Sequence, residues 1–159
     1  MANVTIVTVG SLKEGYLREA VAEYKKRLSQ YARVDEVKIK EERINNEDNR
    51  AEIEAALSRE ADKILAAIPK DCYKIALCVE GKQYTSEELA KLIGDGCDRG
   101  GKIALVIGSS FGLSEKVKRE CDVRLSFSKL TFPHQLMKVV LFEALYRSFT
   151  ILAGKRYHK

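Results

Sequence analysis

Short runs of β-branched and aliphatic residues alternate with helical apolar stripes along the whole chain, and that alternation leaves few folds open. The strand-like runs are Val4–Val9, a shorter one marked by Val34, Val37 and Ile39, then Tyr73–Val79, Lys102–Ile107 and Val123–Phe127. Between them lie segments of helical period. Over Lys13–Tyr31 the apolar positions Tyr16, Leu17, Ala20, Val21, Tyr24 and Leu28 form one stripe. Arg50–Ile68 is amphipathic and stops before Pro69, because the residue preceding a proline is pushed out of the helical region. Thr85-Ser-Glu-Glu88 reads as a capping box opening a helix that ends in Gly94-Asp-Gly96. Ser114 caps a short helix, and Pro133 opens a last one running to about Ala153, with Gly154 as the residue beyond its end. The order βαβαβαβαβα predicts an α/β fold with a mostly parallel sheet and helices on both faces. The polar alternation around Val34–Ile39 places that strand near an edge, and the charged, Asn-rich Glu41–Asn49 reads as a solvated, mobile loop.

Composition bounds the function classes. The chain has 159 residues, 45% hydrophobic and 32% charged, which predicts one globular domain over 1–159. Its net charge of +5 fits an acidic partner but does not require one. The first residues lack the basic and small-residue features of a secretory leader. No apolar run approaches the ~20 residues of a membrane span. Cys72, Cys78, Cys97 and Cys121 form no C-x-x-C pair and read as buried thiols of a reducing compartment, so a cytoplasmic protein is expected. His134 and His158 are the only histidines, and no metal site is predicted.

The motifs concentrate in the last third. Two strands run into Gly108-Ser-Ser-Phe-Gly112 and into Ser128-Lys-Leu-Thr-Phe-Pro-His134. Both loops leave the carboxyl edge of the sheet, where open α/β sheets bind ligands. Gly108 and Gly112 permit either a close backbone approach to a ligand or a tight turn. In Ser128–His134, Leu130 and Phe132 are unusual bulk for a surface loop, so the segment is buried, folded against a partner, or a strand extension. His134 reads as a capping or packing residue. The final helix is apolar on nearly all sides, which makes it either a homodimer interface or a central helix of the monomer. Lys155-Arg-Tyr-His-Lys159 is either a frayed tail or a set of RNA contacts. There is no phosphate-binding G-x-x-x-x-G-K-[ST], no nucleophile elbow, and no dinucleotide fingerprint, since Gly94-Asp-Gly-Cys-Asp-Arg-Gly100 follows a helix and precedes a strand.

Taken together, five segments resemble a known family: Glu23-Tyr-Lys-Lys-Arg-Leu28, Ala76-Leu-Cys-Val-Glu-Gly-Lys82, Val106-Ile-Gly-Ser-Ser-Phe-Gly-Leu113, Leu125-Ser-Phe-Ser-Lys-Leu-Thr-Phe-Pro-His134 and Tyr157-His-Lys159. The chain is similar, over essentially its whole length, to the small SPOUT-class methyltransferases that methylate N3 of a pseudouridine in bacterial 23S ribosomal RNA. The resemblance implies a C-terminal trefoil knot, a homodimer, and ribosomal RNA, in the ribosome or large subunit, as partner. It implies S-adenosylmethionine bound against Leu77, Gly108, Phe127, Ser128, Lys129, Leu130, Thr131 and Phe132. The tail residues Tyr157, His158 and Lys159, with Arg147 nearby, become the candidates for RNA placement and catalytic support. Two positions depart from the family habit: Ser109 stands where a second glycine is common, and Cys78 where an aspartate is common. A sister enzyme acting on transfer RNA or another ribosomal site, and a non-catalytic RNA-binding assembly factor, stay open as alternatives.

Overall fold

The computed structural model describes Met1–Lys159. Its elements are β1 (Ala2–Val9), α1 (Gly15–Leu28), β2 (Ala32–Ile39), α2 (Arg50–Ala67), β3 (Tyr73–Gln83), α3 (Ser86–Asp98), β4 (Lys102–Ile107), α4 (Glu115–Glu120), β5 (Val123–Ser126) and α5 (His134–Leu152). The five strands form one parallel sheet in the order β2-β1-β4-β3-β5. As its polar alternation predicted, β2 is an edge strand.

Strand periodicity sorts the core into two layers. Ile103, Leu105 and Ile107 of β4 face one side, with Val4 and Ile6 of β1 and apolar residues of α1, α3 and α5. Ala104 and Val106 face the other, with Val7, Val9 and apolar residues of α2 and α4. The middle strands are therefore buried on both faces, as continuous apolar runs require.

Helix α5 lies against both α1 and α3. Leu141, Phe142, Leu145 and Phe149 are its buried positions in the larger core. Of the two roles its apolar surface allowed, it therefore fills at least that of a central helix. Its carboxyl end is closed by a Schellman arrangement: the Lys155 amide donates to the Thr150 carbonyl at 2.9 Å and the Gly154 amide to Ile151 at 3.0 Å, with Gly154 at φ +67°. At its other end, Lys138, only 4% exposed, pairs with Glu36 of β2 at 2.7 Å.

Four local expectations are corrected. Helix α3 does not end at Gly94 and Gly96 but runs on to Asp98. These glycines serve packing: a Cβ at Gly96 would lie 2.7 Å from the Tyr73 ring, and one at Gly94 would lie 3.0 Å from Leu152. Strand β3 outruns the predicted Val79, because its ladder with β5 breaks after Leu77 and resumes at Lys82. Tyr16 leaves the buried stripe of α1 and is 69% exposed. Residues 41–49 are indeed a loop, but a tethered one. Glu42 pairs with Lys63 at 2.8 Å, its amide donates to Glu60 at 2.9 Å, and the Asn45 and Asn46 amides donate to Glu52.

An alanine normally stabilises a helix by about 1 kcal/mol over glycine. Gly96→Ala should instead destabilise the protein by about 1–3 kcal/mol, the cost of overpacking against Tyr73. A rise in its thermal midpoint would contradict this packing role.

Candidate active site

At the carboxyl ends of β3, β4 and β5 the chain opens a cleft of ≈ 780 Å³. That is within the ~300–1,000 Å³ range of small-molecule sites. Three segments distant in sequence meet there. Leu77 comes from β3, Gly108 from the turn after β4, and Phe127 and Ser128 from the end of β5. Leu130, Thr131 and Phe132 continue the same wall toward α5. Lys129 is exposed and does not line the cleft.

The turn after β4 is both of the things its glycines allowed, a tight turn and a cleft wall. The Gly112 amide donates to the Ser109 carbonyl at 2.8 Å, and Gly112 adopts φ +88°. A Cβ on Gly108 would lie 2.3 Å from the Gly112 carbonyl oxygen, so no other residue fits. Ser109 is buried, and its hydroxyl accepts the Phe111 amide at 3.3 Å; the serine stabilises the turn. Behind the turn, on α2, Glu60 is 3% exposed. Burial, joined by the Glu41 and Glu42 carboxylates, raises its carboxyl above the ordinary range.

Residues 128–132 are not a strand extension, because β5 ends at Ser126. The Ser126 hydroxyl donates to the Ser128 carbonyl at 3.0 Å, and the Ser128 hydroxyl accepts the Leu130 amide at 2.9 Å. These bonds hold a loop whose Leu130 is 71% exposed, so of the alternatives for this bulk, burial within the chain does not hold for Leu130. Few ionisable groups line the cleft. Glu80 and Lys118 pair with each other. Cys78 stands beside them, its thiol pushed up mainly by burial. The fourth is His134, the first residue of α5. It does not cap the helix, since no side-chain hydrogen bond closes that end.

The C-terminal tail does not fray but folds back along α5. Tyr157 donates to Glu143 at 2.7 Å, its ring meets Tyr146 edge-on at 4.7 Å, and the Arg147 guanidinium lies over it at 4.7 Å. Arg147 also contacts His158 Nδ1 at 3.2 Å, and His158 Nε2 meets Glu87 at 2.8 Å. A guanidinium only donates, so Nδ1 accepts and Nε2–H donates to Glu87; this fixes the tautomer. Arg147 and Glu143 line a smaller cavity of ≈ 190 Å³, walled from the cleft by Leu125, Ser126 and Phe127. The predicted site residues thus fall into two groups. One forms the cleft; the other, Arg147, Tyr157 and His158, lies across that wall, with Lys159 exposed at the end of the chain. Sequence reasoning missed Glu143 and Glu87, the anchors of the tail. The available signal was Glu143 with Arg147 at i,i+4 spacing inside an otherwise apolar helix.

No group of three or more His, Cys, Asp or Glu side chains is placed to hold a metal ion, and no helix is long and apolar enough to cross a membrane.

A parallel α/β sheet with a ligand-sized cleft at its carboxyl edge defines a broad class. Comparison with known proteins narrows it. A family described as predicted SPOUT methyltransferase matches residues 2–158, and the chain belongs to that family. The chain is 49% identical over 158 residues to the ribosomal RNA large subunit methyltransferase H of Shouchella clausii, covering 99% of each protein. It is 49% identical over 160 residues to the protein of that name from Clostridium novyi, again covering 99% of each. Among solved structures, the fold is similar to a methylase-family protein of Neisseria gonorrhoeae, with TM-score 0.55 and 18% identity, covering 91% of this chain and 82% of that one. A methyltransferase of Legionella pneumophila solved with SAM bound matches with TM-score 0.52 and 13% identity, covering 91% and 65%.

Burial raises the Glu143 carboxyl, but bonds from Tyr157, Tyr24 and Arg147 outweigh this and hold it below the ordinary range. A carboxylate depressed on folding contributes stability above its unfolded pKa and loses it as pH falls through the folded value. Docking of the tail should therefore be complete at neutral pH and fail in acid, below the ordinary carboxylate range. Glu143→Gln should loosen it at neutral pH, seen as faster tryptic cleavage after Lys155 and Arg156. Unchanged cleavage would show that the tail is held elsewhere.

Proposed function

We propose that this protein transfers a methyl group from S-adenosylmethionine to N3 of a pseudouridine in 23S ribosomal RNA. The observation that carries the reading is the convergence of Leu77, Gly108, Phe127, Ser128 and Leu130–Phe132 on one cleft, in a chain matched end to end by ribosomal RNA large subunit methyltransferases. The reading places the protein in the cytoplasm, as one domain over 1–159.

The cleft suits this ligand. Leu77 and Leu130 offer apolar walls to an adenine ring, and the turns at 108–112 and 128–132 bring main-chain amides and carbonyls to the same space. Lys129, exposed beside this wall, is assigned to the mouth of the site. When bound, the sulfonium supplies an electrophilic methyl group, and the protein's part is to align the acceptor in line with it. The acceptor N–H must lose its proton. General acid–base catalysis of such a step contributes typically ~10²–10⁴-fold.

In this reading the C-terminal segment is knotted. The register jump between Leu77 and Lys82 supports it, as does the packing of Gly81, where a Cβ would lie 2.7 Å from the Arg124 backbone. The protein acts as a homodimer, so that the tail of one copy, with Tyr157, His158, Lys159 and Arg147, serves the RNA bound at the other copy's cleft. Three observations support a second copy. Leu130 and Leu136 are exposed beside the cleft, α5 keeps half-buried Val139 and Val140, and the tail is walled off from its own cleft. With a net charge of +5, recognition of a shaped ribosomal particle by a composite surface fits better than tight binding of naked RNA.

Incubation with radiolabelled S-adenosylmethionine and large subunits lacking the methyl group should label the RNA, and replacing the pseudouridine by uridine should abolish the label. A protein that binds the methyl donor but labels no ribosomal RNA would overturn the substrate assignment. Truncation after Gly154 should abolish labelling while leaving affinity for the methyl donor within about threefold. Full activity of the truncated protein would dismiss the tail from the site.

A further inference from the structure

The geometry points to His134 as the catalytic residue that takes the proton from the acceptor nitrogen, an assignment that rests on the methyltransferase reading above. Few groups in the cleft could take that proton. Its ionisable lining is Cys78, Glu80, Lys118 and His134. Glu80 and Lys118 are committed to each other, and burial pushes the Cys78 thiol up, away from a role as a base at neutral pH. Imidazole is the side chain suited to exchanging a proton near neutrality.

The His134 ring is also uncommitted. Half-buried, it makes no hydrogen bond within the protein, although both its nitrogens can take part in one. His158, the only other histidine, has both nitrogens engaged, Nδ1 by Arg147 and Nε2 by Glu87. To act as a base it would first have to leave Arg147.

The His134 ring sits against Gly10, where a Cβ would be 3.5 Å from His134 Nε2 and 3.8 Å from a Glu41 carboxylate oxygen. Its backbone is held firmly. The Met137 amide donates to the Pro133 carbonyl at 2.9 Å, the side chain of Gln135 accepts the Lys13 amide at 3.2 Å, and Lys138 is buried against Glu36. A fixed backbone with an uncommitted ring is the arrangement a proton acceptor needs. His134 also lines a small cavity with Thr8, whose buried hydroxyl has no partner. The charged or titratable groups around the ring are Glu41 on the β2–α2 loop, Lys138 one turn along α5, and Cys78, Glu80 and Lys118 across the cleft.

The step balances. The N–CH3 bond forms from the acceptor nitrogen's electron pair, the sulfur keeps the pair of the broken S–CH3 bond, and the N–H proton passes to the imidazole and then to solvent.

Three variants, His134→Asn, His134→Ala and His158→Ala, test this on the full chain with radiolabelled S-adenosylmethionine and unmethylated large subunits. Calorimetry with S-adenosylhomocysteine checks the cleft independently of turnover. Both His134 variants should bind S-adenosylhomocysteine within about threefold of wild type. Their kcat should fall ~10²–10⁴-fold. The acid-side fall of the wild-type rate should vanish in His134→Asn, added imidazole should partly restore His134→Ala, and His158→Ala should keep the acid-side fall. Turnover of His134→Asn close to wild type, or a loss of rate matched by an equal loss of S-adenosylhomocysteine affinity, would overturn the assignment. Wild-type protein that labels no large-subunit RNA would instead overturn the substrate reading on which the assignment rests.

Discussion

Burial of α5 against the sheet is the interaction on which the rest of this structure depends. Phe142, Leu141 and Leu145 are each no more than 1% exposed, seated where α1 and α3 both reach the helix. Removing one such side chain leaves a cavity worth about 2–5 kcal/mol, a large share of a domain's stability. Because α5 cannot shift, its first turn fixes the end of the cleft, its middle supplies Glu143 and Arg147, and its last turn starts the tail. The Lys138–Glu36 pair ties the helix to the far edge strand. A buried ion pair adds little net stability but specifies position, because misplacement strands a charge away from water.

The cleft has a different physical origin. Parallel strands deliver their loops to one edge, and here the loops after β4 and β5 meet residues Leu77–Glu80 of β3, which lies between those two strands. Two close backbone approaches shape it. Gly108 has no room for a Cβ beneath Gly112, and Gly81 has none against Arg124 and Leu125. Serine hydroxyls complete the work, since Ser109, Ser126 and Ser128 each bond to the main chain of their own turn. A cleft lined mostly by apolar and small polar residues, with few ionisable side chains, suits a ligand recognised by shape and hydrogen bonds rather than charge.

Charge collects instead along the tail. Glu143 gathers Tyr157 and Arg147, and Arg147 reaches His158, which ends on Glu87. The chain terminus is therefore an ordered strap on the outer face of α5, across the wall formed by Leu125–Phe127. A cleft and a strap thus lie on opposite sides of one wall in a single chain.

The sequence by itself determined the class of fold, the edge position of β2, the capping box of α3, the Schellman end of α5, and seven of the eight residues assigned to the ligand, all of which line the cleft. The fold features are legible because they follow from local rules, namely strand and helix periods, capping chemistry, and glycine where a Cβ does not fit; the ligand residues came instead from the family resemblance. The quoted motifs also carried the family. Tertiary structure alone decided that Gly94 and Gly96 pack against Leu152 and Tyr73 instead of ending a helix, that β3 resumes beyond Leu77, that Tyr16 and Leu130 face outward, and that His134 is free while His158 is bound. Each of these depends on a partner distant in the chain, Tyr73 for Gly96, Leu125 for Lys82, Glu87 for His158, and no local pattern encodes which distant residue will arrive.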